Sequence, residues 1–316
     1  MSMIPQPPSV RVRALDALLS GLVDYAGLFP PAKEGMREAL ANYASYRAGP
    51  DRSALGRFIV PISRLKELEH ASTGLMPRDS NSEPWQLSVL VTGDVQAAAE
   101  EMLSFNDRYG SDSKEGHAVI DVAELKATTV NDVARQRSQL PSFMTYFEIP
   151  TRNDVSPLVK AIARSGARAK IRTGGATPES IPTASEVIDF IVACRRERIP
   201  FKATAGLHHP IRGSYRLTYE PDSPVGTMYG FLNVFVASAL IYAGESEETA
   251  SAALEETDPT AFAFEDDAIV WRDKRIPADQ MEESRLEFAI SFGSCSFREP
   301  IDELGPLSRR AQPDRQ

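Results

Sequence analysis

Apolar positions along this chain keep switching between two rhythms. Short runs rich in β-branched and aromatic residues read as strands at 22–29 (LVDYAGLF), 57–63 (RFIVPIS), 85–93 (WQLSVLVTG), 117–125 (HAVIDVAEL), 142–150 (SFMTYFEIP), 167–175 (ARAKIRTGG), 201–207 (FKATAGL) and 287–297 (EFAISFGSCSF). Between them, apolar residues recur three and four apart, as in DVQAAAEEMLSFNDRYG (94–110) and TASEVIDFIVACRRER (183–198). That spacing predicts helices with one buried face. Several begin at an Asp or Thr suited to capping, and several end at Gly. Strands alternating with helices predict a parallel sheet, and eight strands can close a (β/α)8 barrel of the TIM type. A doubly wound open sheet is the competing arrangement. Against it, the glycines after the strands do not form the GxGxxG fingerprint of a dinucleotide fold.

One interval breaks the alternation. About 80 residues separate the seventh strand from the eighth, long for a crossover. Residues 211–286 are therefore expected to form an insertion at the barrel rim, within a single domain spanning 1–305. The insertion holds a buried helix (GFLNVFVASALIYAG, 230–244), a second helix (SEETASAALEE) and an antiparallel hairpin turning near Asp266 and Asp267. The buried helix is too short to span a bilayer and carries Asn233 and Ser238. Residues 306–316 are polar and are expected to be disordered.

Side chains alternate faces along a strand, so the apolar set identifies the face that meets the helices. In the seventh strand Phe201, Ala203, Ala205 and Leu207 form that set, leaving Lys202, Thr204, Gly206 and His208 inward. The sixth strand turns Lys170 and Arg172 inward, the fifth Glu148, the fourth Asp121, and the eighth Ser291 and Gly293. The first strand turns Asp24 inward on a weaker pattern. The predicted interior thus collects three acids and three bases. A purely structural ion-pair plug is one reading. The position of most of these groups late in their strands favours the other, because that end of a barrel carries the active site.

Composition narrows the partners. The chain has 316 residues, 42% of them hydrophobic, and a net charge of −9. An acidic protein of this kind suits a small-molecule substrate rather than nucleic acid or a membrane surface, and a locally basic pocket remains compatible with it. A homo-oligomer is left open. Two cysteines, Cys194 and Cys295, make neither a disulfide framework nor a CxxC metal pattern. The N-terminal MSMIPQPPSVRVR lacks an apolar signal core, so the cytoplasm is the expected compartment.

The sixth strand reads KIRTGG, the seventh KATAGL and the eighth FGSCSF. In order, strand number and spacing these resemble the deoxyribose-phosphate aldolase type of class I aldolase. That family has a Schiff-base lysine in K-x-x-T-G on strand six, a second lysine in K-A-x-G-G on strand seven, and a Gly/Ser-rich phosphate loop after strand eight. The resemblance covers about 25 residues. It implies Lys170 as nucleophile, Lys202 as the neighbour that lowers its pKa, and Asp121 as proton-transfer acid. Here strand seven runs out into AGLHHP where the family has Gly-Gly-Ile-Arg, which leaves a phosphate on the substrate open. DYAGLFPPA and KATAGLHHP are also similar to stretches of bacterial proteins of unassigned activity.

The residues support the same chemistry without the family. A lysine amine attacks a carbonyl only when deprotonated, and a dry pocket with nearby cations favours that form. Arg172 and Lys202 are the cations expected beside Lys170, with Asp121 or Glu148 moving protons. Around them, Asp24, Tyr25, Thr173, Gly174, Gly175, Thr204, His208, His209, Ser294 and Ser296 are candidate substrate contacts. The Gly174-Gly175 and GSCS turns could cradle an anion or be ordinary strand-to-helix turns. Cys295 is a candidate nucleophile without an identified histidine partner. A Schiff-base lyase acting on a small polar carbonyl compound needs no cofactor. The first alternative is a metal-dependent barrel enzyme holding a divalent ion with His208, His209 and Glu148. The second is a non-catalytic binding or scaffold barrel.

Overall fold

A computed structural model describes residues 12–79, 82–110 and 113–310. Eight parallel strands close a barrel: β1 (Val23–Tyr25), β2 (Leu55–Pro61), β3 (Trp85–Leu90), β4 (Ala118–Lys126), β5 (Met144–Glu148), β6 (Arg168–Arg172), β7 (Phe201–Thr204) and Ala289–Ser294, which closes the ring between β7 and β1. Six fall inside a run predicted from the sequence, while β2 starts two residues before its run and β4 ends one residue past its own. Helices form where the apolar spacing predicts them. Asp94 caps Val95–Tyr109 by accepting from the backbone N–H groups of Gln96 and Ala97. Thr129 with Asp132, and Thr183 with Glu186, make reciprocal capping boxes at the next starts.

The residues between β7 and the closing strand do more than decorate the rim. A two-stranded hairpin, β8 (Gly213–Arg216) and β9 (Val225–Met228), comes first. The apolar helix Phe231–Ala243 then packs on the barrel itself, with Phe231 and Phe235 lying 5.5 and 6.1 Å from Phe292 of the closing strand. After the helix Glu247–Leu254, three antiparallel strands follow: β10 (Phe262–Phe264), β11 (Ala268–Trp271) and β12 (Lys274–Pro277). The expected turn at Asp266 and Asp267 joins the first two. The helix Ala278–Glu287 leads into the closing strand, β13. The span 211–286 therefore supplies outer-layer helices as well as rim elements. The final helix runs Arg298–Arg310, so the first part of the expected tail is helical, and 311–316 lie outside the described residues.

One irregularity matters for the interior. Leu87 of β3 pairs with Ile120 of β4, but the next residue, Ser88, pairs with Val122. Asp121 is the extra residue of a β-bulge, and from there the face order of β4 shifts by one. Glu124 therefore turns inward, where a strict alternation from Asp121 would have sent its odd-numbered neighbours.

Candidate active site

The barrel interior is layered by charge. At its centre, fully buried Lys202 donates to Oδ2 of Asp24 at 2.6 Å and to Oε1 of Glu124 at 2.7 Å. Ser291 adds a 2.8 Å bond to the same Asp24 oxygen, and Ser88 a 2.6 Å bond to Glu124 Oε1. Burial alone would drive the Lys202 ammonium toward its neutral form. The charges of Asp24 and Glu124 outweigh that and hold its pKa above the ordinary lysine value. For Glu124, burial opposes ionisation, yet Lys170 and Lys202 together hold it well below the usual carboxylate range.

Above this layer lies Lys170. Its Nζ meets Oε2 of Glu124 at 2.7 Å and Oε2 of Glu148 at 3.0 Å. The other oxygen of Glu148 faces Arg172 at 3.2 Å and Lys126 at 3.8 Å. Glu148 is held below its ordinary value because Lys170 and Arg172 overcome the effect of burial. Lys126, Glu148, Lys170 and Lys202 are lateral partners across four successive strands.

A cavity of about 370 Å³ opens above these groups. It is within the range of a small-molecule site. Lys170, Glu148, Arg172, Gly175, Thr204 and His208, all sequence candidates, line it, together with Glu124 and Lys126. The rest of the candidate set is elsewhere. Lys202 and Asp24 sit one layer below the cavity wall. Asp121 binds Arg57 of β2 bidentately, at 2.8 and 2.5 Å, away from both lysines. Past the bulge the inward positions of β4 fall on even numbers, so Glu124, and not Asp121, is the acid that meets the lysines. Tyr25 donates to Glu34 at 2.6 Å. Thr173 is fully buried and donates to the Ala205 carbonyl at 2.6 Å.

Gly174 is a packing glycine. A Cβ there would lie 2.8 Å from the Cα of Gly206, so the turns after β6 and β7 touch backbone to backbone. Ala205 and Gly206 both have positive φ, 63° and 81°, and Ala205 holds this disfavoured conformation at the cavity wall. Ser296 Oγ accepts from the N–H of Glu299 at 3.1 Å and so caps the last helix, while Ser294 Oγ accepts from the N–H of Ser296.

The two histidines part company. His208 faces the cavity with Nδ1 2.9 Å from Glu299 Oε2. His209 binds Glu303 at 2.8 Å and stacks on Tyr215, ring centroids 3.6 Å apart. The alternative metal trio of His208, His209 and Glu148 is thus not brought together, since each is committed to a different partner. Among the described residues no group of three or more His, Cys, Asp or Glu side chains is placed to hold a metal ion. His208 also lies beside Cys295, the partner that the sequence alone did not identify. None of the helices among the described residues is long and apolar enough to cross a membrane.

No protein-family profile and no curated protein sequence matches the chain. Among solved structures, it is similar to one titled "QR15, an Aldolase", at 12% identity over 61% of this chain and 83% of that one, with a TM-score of 0.40. It is also similar to nitroalkane oxidase from Streptomyces ansochromogenes, at 13% identity over 62% of each chain, with a TM-score of 0.30. Likenesses this distant carry no argument about chemistry, which is taken from the site itself.

Proposed function

We propose that the protein is an aldolase-like lyase that binds a small polar carbonyl compound as a Schiff base on Lys170. The observation that carries this reading is a lysine amine that lines the cavity between two carboxylates. Lys170 is that lysine. Lys202 is paired in the same way, with Asp24 and Glu124, but it is buried beneath Lys170 and does not line the cavity, which keeps its amine from a substrate.

The pairing changes the expected route to a neutral amine. Arg172 and Lys202 do not act on Lys170 as bare positive neighbours, because each is matched to a carboxylate. Lys170 instead has proton acceptors at 2.7 and 3.0 Å. Transfer of its proton to Glu148, the more accessible of the two, leaves the amine lone pair free to attack the substrate carbonyl carbon. The carbinolamine hydroxyl then takes a proton and leaves as water, giving the iminium. The iminium accepts the electron pair of the breaking carbon–carbon bond, and Glu148 and Glu124 are the groups within reach to return protons. Glu124 takes the proton-transfer role that the resemblance gave to Asp121.

Along the cavity wall Lys126, Lys170 and Arg172 face Glu124 and Glu148, a surplus of positive charge that suits an oxygenated, electron-rich substrate. A scaffold barrel with a sealed charge plug fits less well, because the upper layer opens into the cavity. The test is incubation of the protein with a set of small aldehydes and ketones plus borohydride, read by intact mass. A stable adduct of one substrate mass, less water and plus two hydrogens, supports the reading. Absence of any adduct across the set, with turnover of one of its members, overturns it.

A further inference from the structure

Cys295 closes one wall of the same cavity, just beyond the end of β13. Its Sγ lies 3.9 Å from Nδ1 and 4.0 Å from Nε2 of His208. Glu299 holds the imidazole through Nδ1 at 2.9 Å. The Glu299 backbone is in turn fixed by the Ser296 cap at the start of the helix Arg298–Arg310. Tyr219, from the turn between β8 and β9, places its Oη 3.7 Å from the sulfur. Four separate pieces of chain converge here: the ends of two barrel strands, a hairpin turn and a helix. None of this is used by Lys170.

We propose that Cys295, His208 and Glu299 form a second reactive centre, in which Cys295 is a nucleophilic thiol for small soft carbon electrophiles that enter the cavity. The contrast with Cys194 is direct. Cys194 is fully buried in the apolar face of the helix Ala184–Glu197, where burial pushes its thiol pKa well up. Cys295 lines the cavity instead, against an imidazole that a carboxylate orients, the nucleophile–base–carboxylate order in which a side chain takes up the thiol proton during attack. The sulfur is nearly equidistant from both ring nitrogens, so it meets the charge of the whole imidazolium rather than one N–H. With Glu299 on Nδ1, Nε2 is left to hold the thiol proton.

The other charged groups nearby have partners of their own. His209 is on Glu303, and Arg298 is on Asp51 and Asp302. Glu299 is the carboxylate that faces His208, and Tyr219 is the titratable group that faces the sulfur. Phe29, Leu217 and Met228 line the same cavity and suit an uncharged, conjugated carbonyl compound.

The step balances without an added oxidant or reductant. The thiol proton moves to His208, and a sulfur lone pair forms a C–S bond to the β-carbon of the conjugated carbonyl. The π pair moves onto oxygen as an enolate, and His208 returns the proton to the α-carbon. With iodoacetamide the C–S bond forms as the C–I bond breaks. Iodide leaves, and the proton passes from His208 to solvent.

The test is iodoacetamide labelling of the intact protein with peptide mapping, and it needs no turnover and no assumption about Lys170. At about pH 6, where an ordinary thiol is almost wholly protonated, Cys295 in the folded protein should label about 10-fold or more faster than in urea-unfolded chain. Cys194 should stay unlabelled until the chain unfolds. His208→Gln should slow Cys295 by about 10-fold or more, and Glu299→Gln by less, with unchanged circular dichroism. Labelling of folded Cys295 no faster than the unfolded chain, or indifference to both substitutions, would overturn the proposal. If His208→Gln does not fold, the wild-type comparison and Glu299→Gln decide the matter.

Discussion

Lys170 and Lys202 hold the two oxygens of one carboxylate: their Nζ atoms each lie 2.7 Å from Glu124, one on Oε2 and the other on Oε1. Glu124 thereby joins the cavity wall to the sealed layer beneath. Its removal should be felt in stability and in chemistry alike. Glu124→Gln leaves two buried ammonium groups sharing one neutral amide, and loss of one partner of a buried ion pair costs about 3–5 kcal/mol. Urea unfolding at neutral pH should show a drop of that order. The carboxylates add an acid limit. Glu124 and Glu148 are depressed in the folded state, so their contribution is present above about pH 4.5 and is lost as pH falls through their folded values. Glu124→Gln should flatten that acid limb, and an unchanged limb would show that the network does not set it.

His208 predicts the opposite limb. Burial would lower its pKa, but Cys295 and Glu299 outweigh burial and raise it from 6.5 to about 9. A group raised on folding stabilises fully below its unfolded value and loses that stabilisation as pH rises through the folded one. Stability should therefore fall between about pH 6.5 and 9, by an amount on the order of 1–3 kcal/mol. His208→Gln should be flatter across the same window in thermal melts. Parallel curves for the two proteins would contradict the assignment.

Arg285 sets a third expectation. It is buried with no carboxylate at ion-pair distance among the described residues, and it donates instead to the carbonyls of Leu18, Ser20, Ala289 and Ile290, with its guanidinium 4.9 Å from the Phe235 ring. Burial pulls its pKa down to about 9. A lysine carries one point charge and cannot reach four carbonyls set around a planar fork. Arg285→Lys should lower stability by about 2–4 kcal/mol through the unsatisfied carbonyls it leaves. A melting temperature within error of wild type would show that water replaces the fork without cost.

Why some of this was legible and some not follows from particular residues. Lys170, Lys202 and Glu148 lie on strands whose alternation is unbroken before them, so period two gives their direction, while Asp24 sits where the β1–β2 register shifts and had the weaker pattern. Glu124 lies beyond a bulge at Asp121, and nothing in HAVIDVAEL marks the extra residue. The substitution of one acid for another was therefore invisible until β3 and β4 were paired. Lys126 was hidden for the same reason. Thr173 and Gly174 looked like ligand contacts because short polar turns serve anions and packing equally. Only the proximity of Gly206 separates the two. Glu299 lies 91 residues beyond its histidine, and such partnerships come from the closure of the barrel rather than from any local spacing.

The central claim is that Lys170, and not Lys202, carries the covalent chemistry. The most direct measurement is borohydride trapping with an accepted carbonyl substrate, followed by peptide mapping of wild type, Lys170→Ala and Lys202→Ala. The account predicts a reduced adduct on the peptide containing Lys170 in the wild-type protein. It predicts no adduct and turnover reduced by about 1000-fold or more in Lys170→Ala. An adduct on Lys202, or full turnover in folded Lys170→Ala, would contradict it.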